Sequence, residues 1–166
     1  MDIVVLAGGL SPERDVSLAS GSLIANALIQ NGHRVLLIDL YSGLEDARNF
    51  EEAYGKYRVE EYRYTVPAQE PDLAQIKADH GNRQELIGPG VLEVCKTADV
   101  AFLALHGSIG ENGQLQAVLD IHAVRYTGSG YTGSLLAMNK LVSKELMRQN
   151  GLPTPDWVTV RPGETM

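Results

Sequence analysis

Residues 1–17 read MDIVVLAGGLSPERDVS, and this stretch decides the fold. Positions 3–7 form a short, continuous apolar run rich in β-branched side chains, closed by Gly8-Gly9. Such a run, with no polar alternation, is expected of a parallel strand buried on both faces. Ser11-Pro12-Glu13 then offers a capping hydroxyl followed by proline at the first helical position. Val16, Ala19, Leu23 and Ala27, with Ile24 and Leu28, recur at three- and four-residue steps and predict a helix with that row as its apolar face. Gly32 stands where helices commonly end, and residues 35–40 repeat the buried-strand pattern. Strand, glycine turn, helix and strand make a right-handed βαβ unit.

Outward from this unit the pattern weakens and then returns. Residues 41–85 hold Tyr41, Tyr54, Tyr57, Tyr62 and Tyr64 among Glu, Arg, Pro and Gln, with no sustained period. They read as an insertion of short elements, partly solvated. Gly88-Pro89-Gly90 punctuates the chain, and a short helix is predicted over 91–96. Residues 100–105 form another buried strand; Leu115, Val118, Leu119 and His122 mark a short helix; residues 124–127 form a further strand. A helix is predicted over 136–149 with Lys140, Lys144, Glu145 and Arg148 on its wet side, then a strand beginning at 157–160. The whole predicts a three-layer α/β domain with a mostly parallel sheet over residues 1–130.

Fourteen Lys and Arg face 21 Asp and Glu, for a net charge of −7. With no basic stripe, neither nucleic acid nor an anionic membrane is an expected partner. Any phosphate must be held by a local site and not by the overall field. Cys95 is the sole cysteine, so an internal disulfide is excluded and a cytoplasmic location is the simplest expectation. No stretch approaches the roughly 18 apolar residues of a spanning helix. The opening residues lack the basic flank and cleavage site of a signal peptide.

Three segments are candidates for chemistry. The turn over residues 7–17 places backbone N–H groups and a helix dipole at the carboxyl edge of the sheet, where open α/β folds bind ligands. The plainer reading is a generic strand-to-helix turn, with Glu13 there to complement the dipole. It is not a dinucleotide fingerprint, because the third glycine of G-x-G-x-x-G is missing. In the second segment His106 follows a buried strand, with Gly107, Gly110 and Gly113 spaced to let backbone approach a ligand. A histidine so placed is equally a polar residue finding a partner. His33, His80 and His122 have no such setting and read as structural or surface residues. The third is Met138-Asn139-Lys140, where the lysine either points at phosphate or sits on a solvated helix face. No cluster has metal-ligand spacing, so no metal site is expected in this chain.

In series, the three segments resemble one family. AGGLSPERDVSLASG resembles G-G-x-S-x-E-x-x-V-S-x-x-S-G; FLALHGSIGENGQLQAVLDI resembles H-G-x-x-G-E-D-G-x-x-Q; and YTGSGYTGSLLAMNKLVSKELMRQNGLPTPDW resembles Y-T-G-S…M-D-K…T-K…G-L-P-T-P. These are patterns of the bacterial D-alanine–D-alanine ligases, and the likeness covers residues 3–40 and 86–160. It implies a Rossmann-like, pre-ATP-grasp domain over 1–130, interrupted by the insertion at about 41–85, and the start of an ATP-grasp central domain over 131–166. It also implies an ADP-forming enzyme that uses ATP and Mg2+ to join two D-alanines for peptidoglycan through an acylphosphate. A homodimer through the N-terminal domain is implied as well.

Carried over residue by residue, Glu13 matches the glutamate that holds the ammonium of the first D-alanine, and Ser17 the serine that supports this turn. His106 matches the histidine beside the reacting carboxylate, Gly107 the glycine that allows backbone approach, and Lys140 a lysine that reaches ATP phosphate. Asn112 and Asn139 stand where the family usually has aspartate. The adenine pocket, the magnesium carboxylates and the acceptor loop are not found here. The chain is therefore expected to be an N-terminal part that does not turn over alone, with residues 153–166 packing poorly. Two other readings stay open: a dinucleotide-binding oxidoreductase domain with Asp39 on a ribose, and a non-catalytic binding or dimerisation module.

Overall fold

A computed structural model describes residues 1–160 and 163. Three strands, β1 (Asp2–Ala7), β2 (Arg34–Asp39) and β3 (Val100–Leu103), form one sheet in the order β2-β1-β3. Both pairings are parallel; Ile3 stands opposite Val35 on one side and Val100 on the other. The central strand thus sends the chain to β2 in one direction and receives β3 from the other.

Alternation along the strands divides the core in two. Val4 and Leu6 with Leu36 and Ile38 face one side, while Ile3, Val5 and Ala7 with Val35 face the other. Helix α1 (Arg14–Gln30) covers the second side. The first is covered by α2 (Phe50–Tyr57), α4 (Val91–Thr97) and α6 (Gln114–Ile121), which bury Phe50, Ala53, Val91, Val94, Leu115 and Leu119. Three layers follow, as the apolar runs require.

The inner face of α1 differs from expectation. Val16 and Leu23 are 50% and 73% exposed, whereas Ser17, Gly21, Ser22 and Ala25 are buried. The reason is distance: a Cβ on Gly21 would lie 2.8 Å from that of Ala7, so small residues take the face pressed on β1. Proximity to the sheet overrides the apolar row. The helix also begins later than the Ser-Pro pair predicts. Glu13 occupies the N-cap without a side-chain cap bond, and Ser11 instead accepts from the Glu13 amide at 3.2 Å.

Other expectations need correction. The region 41–85 is not wholly an excursion: Tyr41, Ala47, Phe50 and Ala53 are core residues. A short helix, α3 (Leu73–Asp79), lies in its exposed second half, and a single turn, α5 (Ser108–Glu111), follows β3. Residues 124–127 do not form a full strand; they give one parallel bridge, Ala101 with Tyr126. The long helix breaks at Asn139 into α7 (Tyr131–Met138) and α8 (Lys140–Gln149). No strand forms over 157–160, which finds no backbone hydrogen-bond partner among the described residues.

The 152–160 segment is mostly exposed. Thr154 and Trp157 are half-buried, and the Lys144 ammonium and Arg148 guanidinium lie 5.3 and 4.8 Å from the Trp157 ring centre. Lys144 also donates to Thr154 Oγ1 and Pro155 O, so these two cations do more than wet the helix surface. Expectations for 161–162 and 164–166 lie outside the described residues.

Candidate active site

The polar residues singled out near the ends of β1 and β3 come together, and Ser17 shows how. Its hydroxyl, completely buried, accepts from the Gly8 amide and donates to Ala104 O, both at 2.8 Å. One side chain thereby ties the end of β1, the first turn of α1 and the segment after β3. Its proton and one lone pair are engaged inside the protein and the side chain is fully buried, so Ser17 shapes the site and does not reach out of it. Ser11 makes a second tie by donating to His106 O at 3.2 Å.

Glu13 and Gly107 meet over this frame. Gly107 has φ +63, and a Cβ there would lie 2.5 Å from Glu13 Oε2. Only a glycine leaves room for the carboxylate at this spot and adopts the left-handed backbone without strain. The expected close approach to Gly107 is therefore made by Glu13 itself. Next to it, His106 Nε2 lies 3.2 Å from Ser20 Oγ. Carboxylate and imidazole thus share one edge, partly open to solvent.

The two residues that follow Glu13 in sequence are anchored. Arg14 Nη1 lies 2.7 Å from Asp39 Oδ2 and donates to Gly9 O at 2.9 Å. Asp39 Oδ1 accepts from the amides of Tyr41 and Ser42, and a Cβ on Gly8 would meet the Asp39 carboxylate. Asp39 is therefore consumed within the fold, which argues against a ribose-holding role. Asp15, the next residue, accepts from Tyr64 Oη, whose phenol is pushed up to about 12, by burial first and then by this carboxylate.

Tyr64 belongs to a strap. Asn26 donates to Tyr62 O and accepts from Tyr62 N, both at 2.8 Å, and Tyr62 Oη accepts from Leu37 N. Burial raises the Tyr62 phenol as well. Ser20, Ser11, the Arg14–Asp39 pair and this strap were not among the residues expected at the site. Both serines lie inside the opening motif, which was the available signal; nothing in the sequence pairs Tyr64 with Asp15.

The loop after His106 is internally closed, with Gln116 Nε2 donating to Gly110 O at 2.7 Å. Asn112 Oδ1 accepts from Gln114 N at 3.0 Å, a turn bond an aspartate would make equally. Asn139 caps α8 by accepting from Val142 N, where Asn and Asp serve alike. Lys140, first residue of α8, is exposed and makes no contact with Glu13 or His106 among the described residues. His80 bonds Ile76 O and packs edge-on against Tyr41, a structural role. Among the described residues no three acidic, His or Cys side chains are placed to hold a metal. No described helix is long and apolar enough to cross a membrane.

A parallel sheet between helices, with polar side chains gathered at its carboxyl edge, defines a Rossmann-like α/β domain. More narrowly, the chain belongs to the family described as D-ala D-ala ligase N-terminus, whose model matches residues 2–129. The D-alanine–D-alanine ligase of Lacticaseibacillus casei (strain BL23) is 45% identical over 157 residues, 93% of this chain and 43% of that protein. The corresponding ligase of Pediococcus pentosaceus is 42% identical over 96% of this chain and 46% of its own length. The chain thus spans less than half the length of these relatives. Among solved structures, the Bacillus anthracis ligase complexed with ATP is 28% identical with a TM-score of 0.60, and covers 100% of this chain and 42% of its own. The Coxiella burnetii ligase is 25% identical with a TM-score of 0.62, covering 98% and 46%.

Proposed function

We propose that this chain supplies the donor-substrate half of an ATP-dependent D-alanine–D-alanine ligase. The observation that carries the reading is the Glu13 carboxylate seated against Gly107 beside His106. Family membership supports D-alanine as the substrate of that arrangement. Glu13 takes the ammonium of the first D-alanine, a charge-assisted bond that contributes on the order of 1.5–3 kcal/mol. His106 lies beside the reacting carboxylate, and Ser17 holds the frame that sets Glu13 and His106 in register. Gly107 keeps the space between them free of side chain.

ATP, when bound, supplies the phosphoryl group that activates the donor carboxylate as an acylphosphate, which the amine of the second D-alanine attacks. Lys140, an exposed cation at the first turn of α8, fits a contact to its phosphates. Among the described residues no cluster is placed to hold Mg2+. The remaining work of the protein is positioning and stabilisation of developing charge. A role in cytoplasmic peptidoglycan synthesis and a homodimer through this domain belong to the same proposal. Leu23 and Ile121, at 73% and 80% exposure, are large apolar residues on its surface.

The test is phosphate release dependent on both ATP and D-alanine, assayed on the complete reading frame with the 166-residue chain as control. Activity in the longer polypeptide that Glu13→Gln abolishes supports the donor site. Full activity of that variant, or D-alanine-independent phosphate release only, overturns it.

A further inference from the structure

Ser20 faces two kinds of partner at once. Its Oγ lies 2.7 Å from Val16 O, one helical turn back, with Ser17 O at 3.3 Å, and 3.2 Å from His106 Nε2. A serine hydroxyl has one proton to give and two lone pairs to offer. The short contact to Val16 O takes the proton, because a carbonyl oxygen can only accept. Toward the ring Ser20 then presents lone pairs, and an acceptor there requires a proton on Nε2.

We infer that Ser20 is a positioning residue that holds neutral His106 as its Nε2–H tautomer and leaves Nδ1 as the working nitrogen. Among the described residues Nδ1 has no hydrogen-bond partner. The His106 backbone is fixed separately, through its carbonyl, by Ser11. Ring and backbone are therefore held by different serines of the same motif, and Ser20 governs the proton's location without touching a ligand.

A chemical consequence follows, and it rests on the ligase reading above. In the neutral ring Nδ1 accepts only, so it can take a proton from a donor group at the site. To donate to a carboxylate or acylphosphate oxygen the ring must first become imidazolium, with Nε2–H still bonded to Ser20. The opposite tautomer, with Nε2 as acceptor, would require Ser20 to withdraw its proton from Val16 O.

Ring nitrogen shifts measure this directly. In 15N-labelled chain, long-range proton–nitrogen spectra recorded where the ring is neutral distinguish the two tautomers; His106→Gln assigns the signal among the four histidines. The expected result is a dominant Nε2–H pattern for His106, a shift toward a mixture in Ser20→Ala, and restoration in Ser20→Thr, whose hydroxyl makes the same backbone bond in a helix. Backbone amide spectra confirm that each variant is folded. A dominant Nδ1–H pattern, or a Ser20→Ala spectrum identical to the parent, overturns the inference. In the complete reading frame, Ser20→Ala is expected to lower kcat roughly tenfold with KM for ATP unchanged. An inactive parent with the predicted ring state would sink the ligase reading and leave the tautomer assignment standing.

Discussion

Tyr64 donates its phenolic proton to the carboxylate of Asp15, 49 residues earlier in the chain and two residues after Glu13. The contact joins the otherwise exposed strap to the turn that carries the candidate donor-site glutamate. With Arg14 held by Asp39, both residues that follow Glu13 at the start of α1 are anchored.

Tyr64→Phe removes that bond and leaves the largely buried Asp15 carboxylate without it. Stability is expected to fall by about 1–3 kcal/mol, read from the urea midpoint. The pH dependence carries its own sign. The phenol titrates near 10 when unfolded and about 12 when folded, so its contribution is complete below pH 10 and is lost as pH rises through about 12. Tyr62 and Tyr126 are raised in the same direction, so the Phe variant should flatten the alkaline slope in part. An unchanged slope would discount the contact.

Ser17→Ala strands the Gly8 amide and Ala104 carbonyl that the hydroxyl now serves. A loss of about 2–3 kcal/mol is expected from two buried groups left unpaired. The denaturant midpoint should drop while the m-value stays constant. A midpoint within error of the parent would mean that water replaces the serine.

Gly107→Ala puts a methyl where the Glu13 carboxylate lies and an L side chain on positive φ. The backbone term costs about 1–2 kcal/mol. The larger effect is expected on donor binding: displacement of Glu13 should raise KM for the first D-alanine at least tenfold in the complete reading frame. Isotope exchange or initial-rate kinetics would show it, and an unaltered donor KM would count against Glu13 as the ammonium partner.

Asp39→Asn keeps an oxygen for the Tyr41 and Ser42 amides but leaves Arg14, 13% exposed, without its counter-charge. A loss of about 2–3 kcal/mol is expected. The parent should show no saturable amide shifts at Gly8, Gly9 or Asp39 on titration with NAD. Such shifts would revive the dinucleotide reading.

The buried strands were legible because a parallel strand covered on both faces has to be apolar along its length, as residues 3–7 and 35–38 are; Asp39 marks the polar end of the second. The inner face of α1 was not, because close contact selects for size there, and Ser17, Gly21, Ser22 and Ala25 leave no apolar row to read. Residues 124–127 carry strand-like side chains, but only Tyr126 finds a bridging partner in β3. At the site, Glu13, Ser17, His106 and Gly107 were accessible through their motif. Tyr62 and Tyr64 were not, since their bonds depend on where an irregular segment crosses α1 and β2.

The ties that shape the site join residues far apart in sequence: 86 positions from Ser20 to His106, 87 from Ser17 to Ala104 and 95 from Ser11 to His106. Contacts of such separation carry the full entropy of closing a long loop and cannot form while β3 is undocked. The βαβ half, whose partners are close neighbours, can consolidate first. In a refolding chain the arrangement of imidazole and carboxylate is thus an event of the final docking, and mutations that slow β3 should delay its appearance even where helix content recovers promptly.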